Sequence, residues 1–219
     1  MKQKLDKYLL VGLFVLVGQG LVAQRIEKSY ISMPEVLNPV LPQKLRLELL
    51  EYHKVGQGDS VQNRFGNVSY LQVFDTLNNL IVVRNTQSTT FEMKLLKLED
   101  GMPVVGAINT VCAPICQSDI AFYDTAWNKI PLQFTMPKAM QWINANKLAE
   151  TPDLDKAWVG NVLAISFISL QFDSAGQQII ATNNTAEFLG EDDRKVIQPL
   201  LNKQPLVFGL KGKTWMLKP

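Results

Sequence analysis

The chemistry-bearing residues of this 219-residue chain are few: two cysteines, one histidine, and a set of short Asp-Ser/Thr tripeptides. Cys112 and Cys116 are spaced C-x-x-x-C. On an extended strand their α-carbons would lie roughly 13 Å apart, whereas a disulfide tolerates at most about 7 Å. The segment between them must bend if they pair, and Pro114 suits a turn. Such a bond would close a very small loop and contribute roughly 2 kcal/mol. The alternative is a redox-active dithiol, but exchange motifs usually have two intervening residues at a helix start. A zinc site needs more ligands than two cysteines and a lone histidine supply, so no metal is expected.

Any nucleophilic triad would have to use His53 as its base. No G-x-S-x-G elbow accompanies it, and a histidine at the end of a helix is favoured there by the helix dipole alone. Glu191, Asp192 and Asp193 offer carboxylates for acid–base work, but acids also favour the first turn of a helix. Gly56-Gln57-Gly58 lacks the strand and helix that a phosphate loop needs, and no cofactor is expected. Trp127, Trp142, Trp158 and Trp215 could line a ligand groove, although core packing is the commoner fate of aromatics. No catalytic residue is assigned.

Asp59-Ser60-Val61, Asp75-Thr76-Leu77, Asp124-Thr125-Ala126 and Asp173-Ser174-Ala175 share one pattern: acid, hydroxyl, then a small or aliphatic residue. They resemble the O-glycosylation sequon of exported Bacteroidetes proteins, which makes Ser60, Thr76, Thr125 and Ser174 candidate modification sites. Asp-Ser and Asp-Thr are also good turn formers in their own right.

Compartment gives these residues their meaning. Lys2, Lys4 and Lys7 precede an apolar core from Tyr8 to Val17, and Leu21-Val22-Ala23 ends on a small residue. That order is the signature of a secretory signal over residues 1–23, cleaved near Ala23. The apolar core is shorter than the roughly 20 residues of a spanning helix, and no later stretch is long enough to span, so the mature chain has no expected membrane span. The expected location is periplasmic or extracellular, where neighbouring cysteines usually pair. Losing the signal leaves 19 of 22 basic and 19 of 20 acidic side chains. A neutral body argues against a nucleic-acid partner.

The elements that must position these residues read as an α+β protein. Ser32-Met33-Pro34-Glu35 looks like a capped helix start, and Gln43 to His53 a short amphipathic helix ended by Gly56 and Gly58. From Asn67 to Leu132 the pattern predicts an antiparallel meander of about five strands. Within it Phe91, Met93 and Leu95 alternate with Thr90, Glu92 and Lys94, as in a half-buried strand. Asp100-Gly101 marks a hairpin whose central residues both take positive φ. Residues 133–160 read as a connector with a short helix near Met140. Leu163 to Phe172 is apolar on both faces and predicts a long central strand. A strand over Gln177–Thr182, a helix from Glu191 broken at Pro199, and a closing hairpin around Lys211-Gly212 follow. The domain reading is a helix-plus-strand module over 24–135 and a smaller α+β module over 136–219, packed as one globular unit.

Tyr30-Ile31-Ser32-Met33-Pro34, Phe91 to Leu96, Asn109 to Cys116, Ile120 to Tyr123, and Phe188-Leu189-Gly190 with the Glu191–Arg194 run carry a resemblance over the whole mature chain. The chain resembles the domain of unknown function 3256 family, exported proteins of Bacteroidales. Gln43-Lys44-Leu45-Arg46 departs from it, since the family reads more acidic there. The resemblance implies the signal peptide and the cysteine pair; it brings no activity, substrate or catalytic residue.

The expected function is a non-enzymatic binding or interaction protein of the cell envelope, with an envelope protein, peptide or glycan as partner. One route is addition of a peptide to an exposed sheet edge. The alternatives are a periplasmic hydrolase using carboxylates or His53, and a thiol–disulfide protein using Cys112 and Cys116.

Overall fold

A computed structural model describes residues 26–219; the expected signal segment lies outside the described residues. Helix α1 (residues 26–32) leads through a 3-10 turn at Glu35–Leu37 to α2 (Gln43–Lys54). Pro34 and Pro42 cannot continue a helix inward, so each sits at a start. Ser32 is no cap for the residues after it: it ends α1, and its hydroxyl bonds back to Ser29 O. Helix α2 stops where Gly56 takes φ 70°, with Gly56 N–H on His53 O and Gln57 N–H on Tyr52 O.

A six-stranded antiparallel meander follows: β1 (Ser60–Gln62), β2 (Val68–Asp75), β3 (Leu80–Arg84), β4 (Thr89–Lys97), β5 (Pro103–Cys112) and β6 (Cys116–Tyr123). The strand beyond the five expected is β1, whose three residues are too few to show alternation. At the β4–β5 turn Gly101 alone takes positive φ, while Asp100 uses its carboxylate to hold Met102 N–H.

The 133–160 stretch holds more structure than a connector. A 3-10 turn at Ala139–Trp142 is followed by α3 (Ala145–Ala149) and α4 (Lys156–Val162). Asn144 and Asp155 cap them through side-chain oxygens that accept from Lys147 and Ala157 N–H respectively. The apolar run from Leu163 divides accordingly. Leu163 N–H closes α4 on Val159 O, and strand β7 is only Ile168–Phe172. β8 (Gln178–Asn183), α5 (Thr185–Phe188), α6 (Glu191–Ile197), a 3-10 turn at Gln198–Leu200, β9 (Leu206–Lys211) and β10 (Thr214–Leu217) complete the chain. The second sheet has the order β10-β9-β8-β7, so β7 is its terminal strand and not a central one.

The six-stranded sheet is the middle layer. One face packs Leu71, Ile81, Phe91, Met93 and Val105 with Ile26, Tyr30, Leu49 and Leu50 of α1 and α2. The other packs Leu80, Leu96, Val104 and Ile108 with Phe172, Ile179, Phe208 and Trp215 of the second sheet. Gly106 allows the sheets to touch: a Cβ there would meet Phe172 Cζ at 2.5 Å. On the helical side Arg46 is fully buried. Its guanidinium donates to the carbonyls of Leu41 (2.9 Å), Ile31 (3.1 Å) and Met33, tying the end of α1 to α2. Burial lowers its pKa, with Tyr30 and Glu35 opposing.

Candidate functional site

β3 and β5 are apolar on both faces, so β4 between them is covered on both faces too. The polar residues of β4 are therefore not a solvent face, as their alternation suggests. Glu92 is 8 % exposed and Lys94 2 %. Both point at β7, with unusual results for a sheet edge. Glu92 Oε1 accepts from Phe172 N–H at 2.5 Å, and Ser118 Oγ accepts from Leu170 N–H at 2.8 Å. Lys94 Nζ donates to the carbonyls of Asp173 (2.5 Å) and Ser174 (2.8 Å). Asn184 Nδ2 donates to Cys116 O at 2.9 Å and to Ser169 Oγ at 3.0 Å. Side chains of one sheet thus serve the edge of the other, where a neighbouring strand would otherwise be needed.

Among the described residues no cation lies within ion-pair distance of Glu92. Burial raises its carboxyl to about 7, against the opposing pull of the Phe172 N–H and of Lys94. Burial lowers the Lys94 ammonium, while Asp173, Asp75 and Glu92 pull it back. Glu92 is therefore poised to donate or accept a proton near neutrality, a property that concentrates at functional sites.

Glu92 also lines a cleft of about 340 Å³ between the two sheets. Carboxamides from Gln72, Gln171 and Asn184 and hydroxyls from Thr90, Thr110 and Ser169 line it with Glu92. Gln72 reaches it from an irregularity in the β2–β3 pairing between Leu71 and Val73. Among the described residues no group donates to Glu92 Oε2. The arrangement can read a polar, hydrogen-bonding ligand; among the described residues its lining holds one carboxyl and no hydroxyl bonded to a general base.

The residues singled out in the sequence lie elsewhere. His53 Nδ1 is 2.6 Å from Asp59 Oδ1, and its ring meets Phe74 edge-on at 5.4 Å. The pair is exposed at the end of α2, and among the described residues no serine or threonine hydroxyl bonds to His53. Glu191, Asp192 and Asp193 form the first turn of α6, with Glu191 paired to Lys195 at 2.7 Å. Cys112 and Cys116 face each other across the β5–β6 tip with α-carbons 3.9 Å apart and sulfurs at disulfide distance. The bend between them holds a cis Ala113–Pro114 bond. Trp142 and Trp215 are buried, and Trp127 and Trp158 pack against the two cores, so none lines the Glu92 cleft.

In each Asp-Ser/Thr tripeptide the carboxylate is engaged locally. Asp59 meets His53, Asp75 holds Asn78, Asp124 holds Ala126 and Asn128, and Asp173 holds Gly176 N–H. Those bonds lower the carboxyls of Asp75 and Asp124. Thr125 and Ser174 are exposed, while Ser60 and Thr76 are half-buried.

The family model described as "Protein of unknown function (DUF3256)" matches residues 18–215. The chain belongs to this family. No curated protein matches it. Among solved structures, a domain of an uncharacterized protein from Porphyromonas gingivalis W83 is similar, with a TM-score of 0.71 and 17 % identity. The match covers 89 % of this chain and 98 % of that domain, and at that identity it speaks for the fold alone. Among the described residues no group of three or more His, Cys, Asp or Glu could hold a metal ion, and no helix is long and apolar enough to cross a membrane.

The residues of the cleft escaped sequence reasoning. One signal could have found them: a Glu and a Lys two residues apart on a strand flanked by Leu80-Ile81-Val82-Val83 and Val104-Val105, which mark a doubly covered sheet centre.

Proposed function

We propose that this chain is an exported, non-enzymatic binding protein of the cell envelope that seats a polar ligand in the Glu92 cleft. The observation that carries the reading is a buried carboxyl, raised toward neutrality, with Oε2 unpartnered in a cleft of carboxamides and hydroxyls. Export is supported by the order of charge, apolar core and small residue at the N-terminus, and by a cysteine pair at disulfide distance. Edge addition of a peptide loses ground. The outward N–H groups of Leu170 and Phe172 on β7 are taken. β10 is bridged by Gln133 and β1 has three residues.

The test is a titration of ¹⁵N-labelled protein with a panel of oligosaccharides and short peptides. The side-chain amide resonances of Gln72, Gln171 and Asn184 move together when the ligand class is right. Ligand-induced shifts confined to other surfaces, or none across the panel, refute the reading.

A hydrolytic reading has one observation in its favour, the same near-neutral carboxyl. Among the described residues the cleft lining supplies no second carboxyl, histidine or lysine to pair with it or to activate a hydroxyl. Glu92→Gln removes hydrolysis under that reading and leaves binding under ours. O-glycosylation, where it occurs, is best placed at Thr125 and Ser174, the two exposed hydroxyls. A secreted protein whose intact mass equals that of the bare polypeptide removes that proposal.

A further inference from the structure

The cleft does not end at Gln72 and Thr90. Paired residues draw one row of side chains across all six strands: Ser60, Tyr70, Arg84, Thr90, Thr110 and Ser118. The second sheet covers the β4–β6 end of this face. Toward β2 and β3 it is open: Tyr70 and Arg84 are exposed and line a second hollow of about 510 Å³ with Asn67, Thr86, Gln87 and Ser88. Tyr70 to Thr110 spans three strand gaps, roughly 14 Å at the usual spacing. The open hollow and the Glu92 cleft therefore lie side by side on one face, meeting at the paired Arg84 and Thr90, and together they offer a groove that is open at the Tyr70 end.

Among the described residues, Arg84 at the open end is the one charged side chain lining the groove apart from Glu92. The Arg84 guanidinium stacks over the Tyr70 ring at 4.5 Å, which fixes the plane of its donor fork. Among the described residues no carboxylate lies within ion-pair distance of it. A stacked, oriented guanidinium without an acidic partner complements a planar carboxylate, which it can grip with two parallel hydrogen bonds. The remaining lining is mostly hydroxyl and carboxamide, with Val68, Val82 and Leu170 among them, matched to a ligand that pairs hydroxyl groups with the apolar faces of its rings. Strand edges beside the groove offer a peptide main chain little: β1 is three residues long, and the outward N–H groups of Leu170 and Phe172 are taken.

Resting on the cleft reading above, we infer that the ligand is an acidic saccharide, its carboxylate on Arg84 and its hydroxyls reaching toward the Glu92 cleft. The test uses α-1,4-linked tetragalacturonate and its fully methyl-esterified form, which differ in charge and share a backbone. Calorimetry at pH 7 and low salt compares wild type with Arg84→Gln, an exposed substitution that the core does not feel. Wild type binds the acid at least tenfold more tightly than the ester, and Arg84→Gln brings the two to equal affinity. Equal binding of both by wild type, an unchanged preference in Arg84→Gln, or no binding of either at about 10 mM overturns the inference. The cleft reading fails on a different result, the stillness of the Gln72, Gln171 and Asn184 amides across the whole panel. Loss of acid selectivity with those amides still responding removes the role of Arg84 alone.

Discussion

Replacing Glu92 by glutamine should make the protein more stable at alkaline pH. The carboxyl ionises near 4.5 when exposed and at about 7 when folded. Below 4.5 it is protonated in both states and contributes no pH dependence. As pH rises from 4.5 to 7 the unfolded chain gives up its proton while the folded one holds it, so folded-state stability falls. The loss is complete just above 7 and amounts to about 3 kcal/mol, at 1.36 kcal/mol for each unit between the two values. Glutamine has no proton to lose, and its Oε1 can still accept from Phe172 N–H. The gain at pH 8 is reduced by the weaker bond of a neutral acceptor, leaving about 1–3 kcal/mol. Urea unfolding of both proteins at pH 4.5 and pH 8, followed by the fluorescence of buried Trp142 and Trp215, measures it. A difference between variant and wild type that is the same at both pH values, or a variant less stable at pH 8, refutes the reasoning.

Gly106→Ala drives a methyl into the Phe172 ring and should cost about 1–3 kcal/mol, seen as a fall in Tm of several degrees; an unchanged Tm would show that the sheets separate freely. Arg46→Met leaves the carbonyls of Ile31, Leu41 and Met33 without their donor and should cost about 1–3 kcal/mol for each acceptor that stays buried and unpaired, measured by the same urea titration. Protein secreted into an oxidising compartment should show no titratable thiol under denaturing conditions, and Cys112→Ser with Cys116→Ser should lose about 2 kcal/mol. A dithiol that titrates freely would favour the redox reading.

Much of the fold was legible because local rules agreed with the final packing. The Leu45–Leu49–Leu50 stripe and Gly56 define α2, and the closing hairpin turns at Gly212 with φ 58°. The failures came where one local pattern had two outcomes. An apolar run from Leu163 could be a long strand or the end of a helix followed by a shorter strand, and Asp155, eight residues upstream, decides through its cap. The alternation of β4 reports that its two sides differ in polarity; it cannot report that the polar side is also covered. The candidate site depends on that second fact. It is assembled from all the strands from β2 to β8, and no spacing within any one segment encodes their meeting.

The closed edge of β7 has a consequence for how the chain reaches its native state. Unpaired strand edges invite other chains to join, and proteins commonly deter them with lysine, proline or short strands. Here the guards are Ser118 and Glu92, 52 and 80 residues distant in sequence from the amides they occupy. The edge is sealed only once the six-stranded sheet is in place to receive it. The meander precedes β7 in the chain, so the seal can be waiting when the strand arrives. A lesion that slows the meander would leave β7 open, and its damage would be read as aggregation of newly made chains.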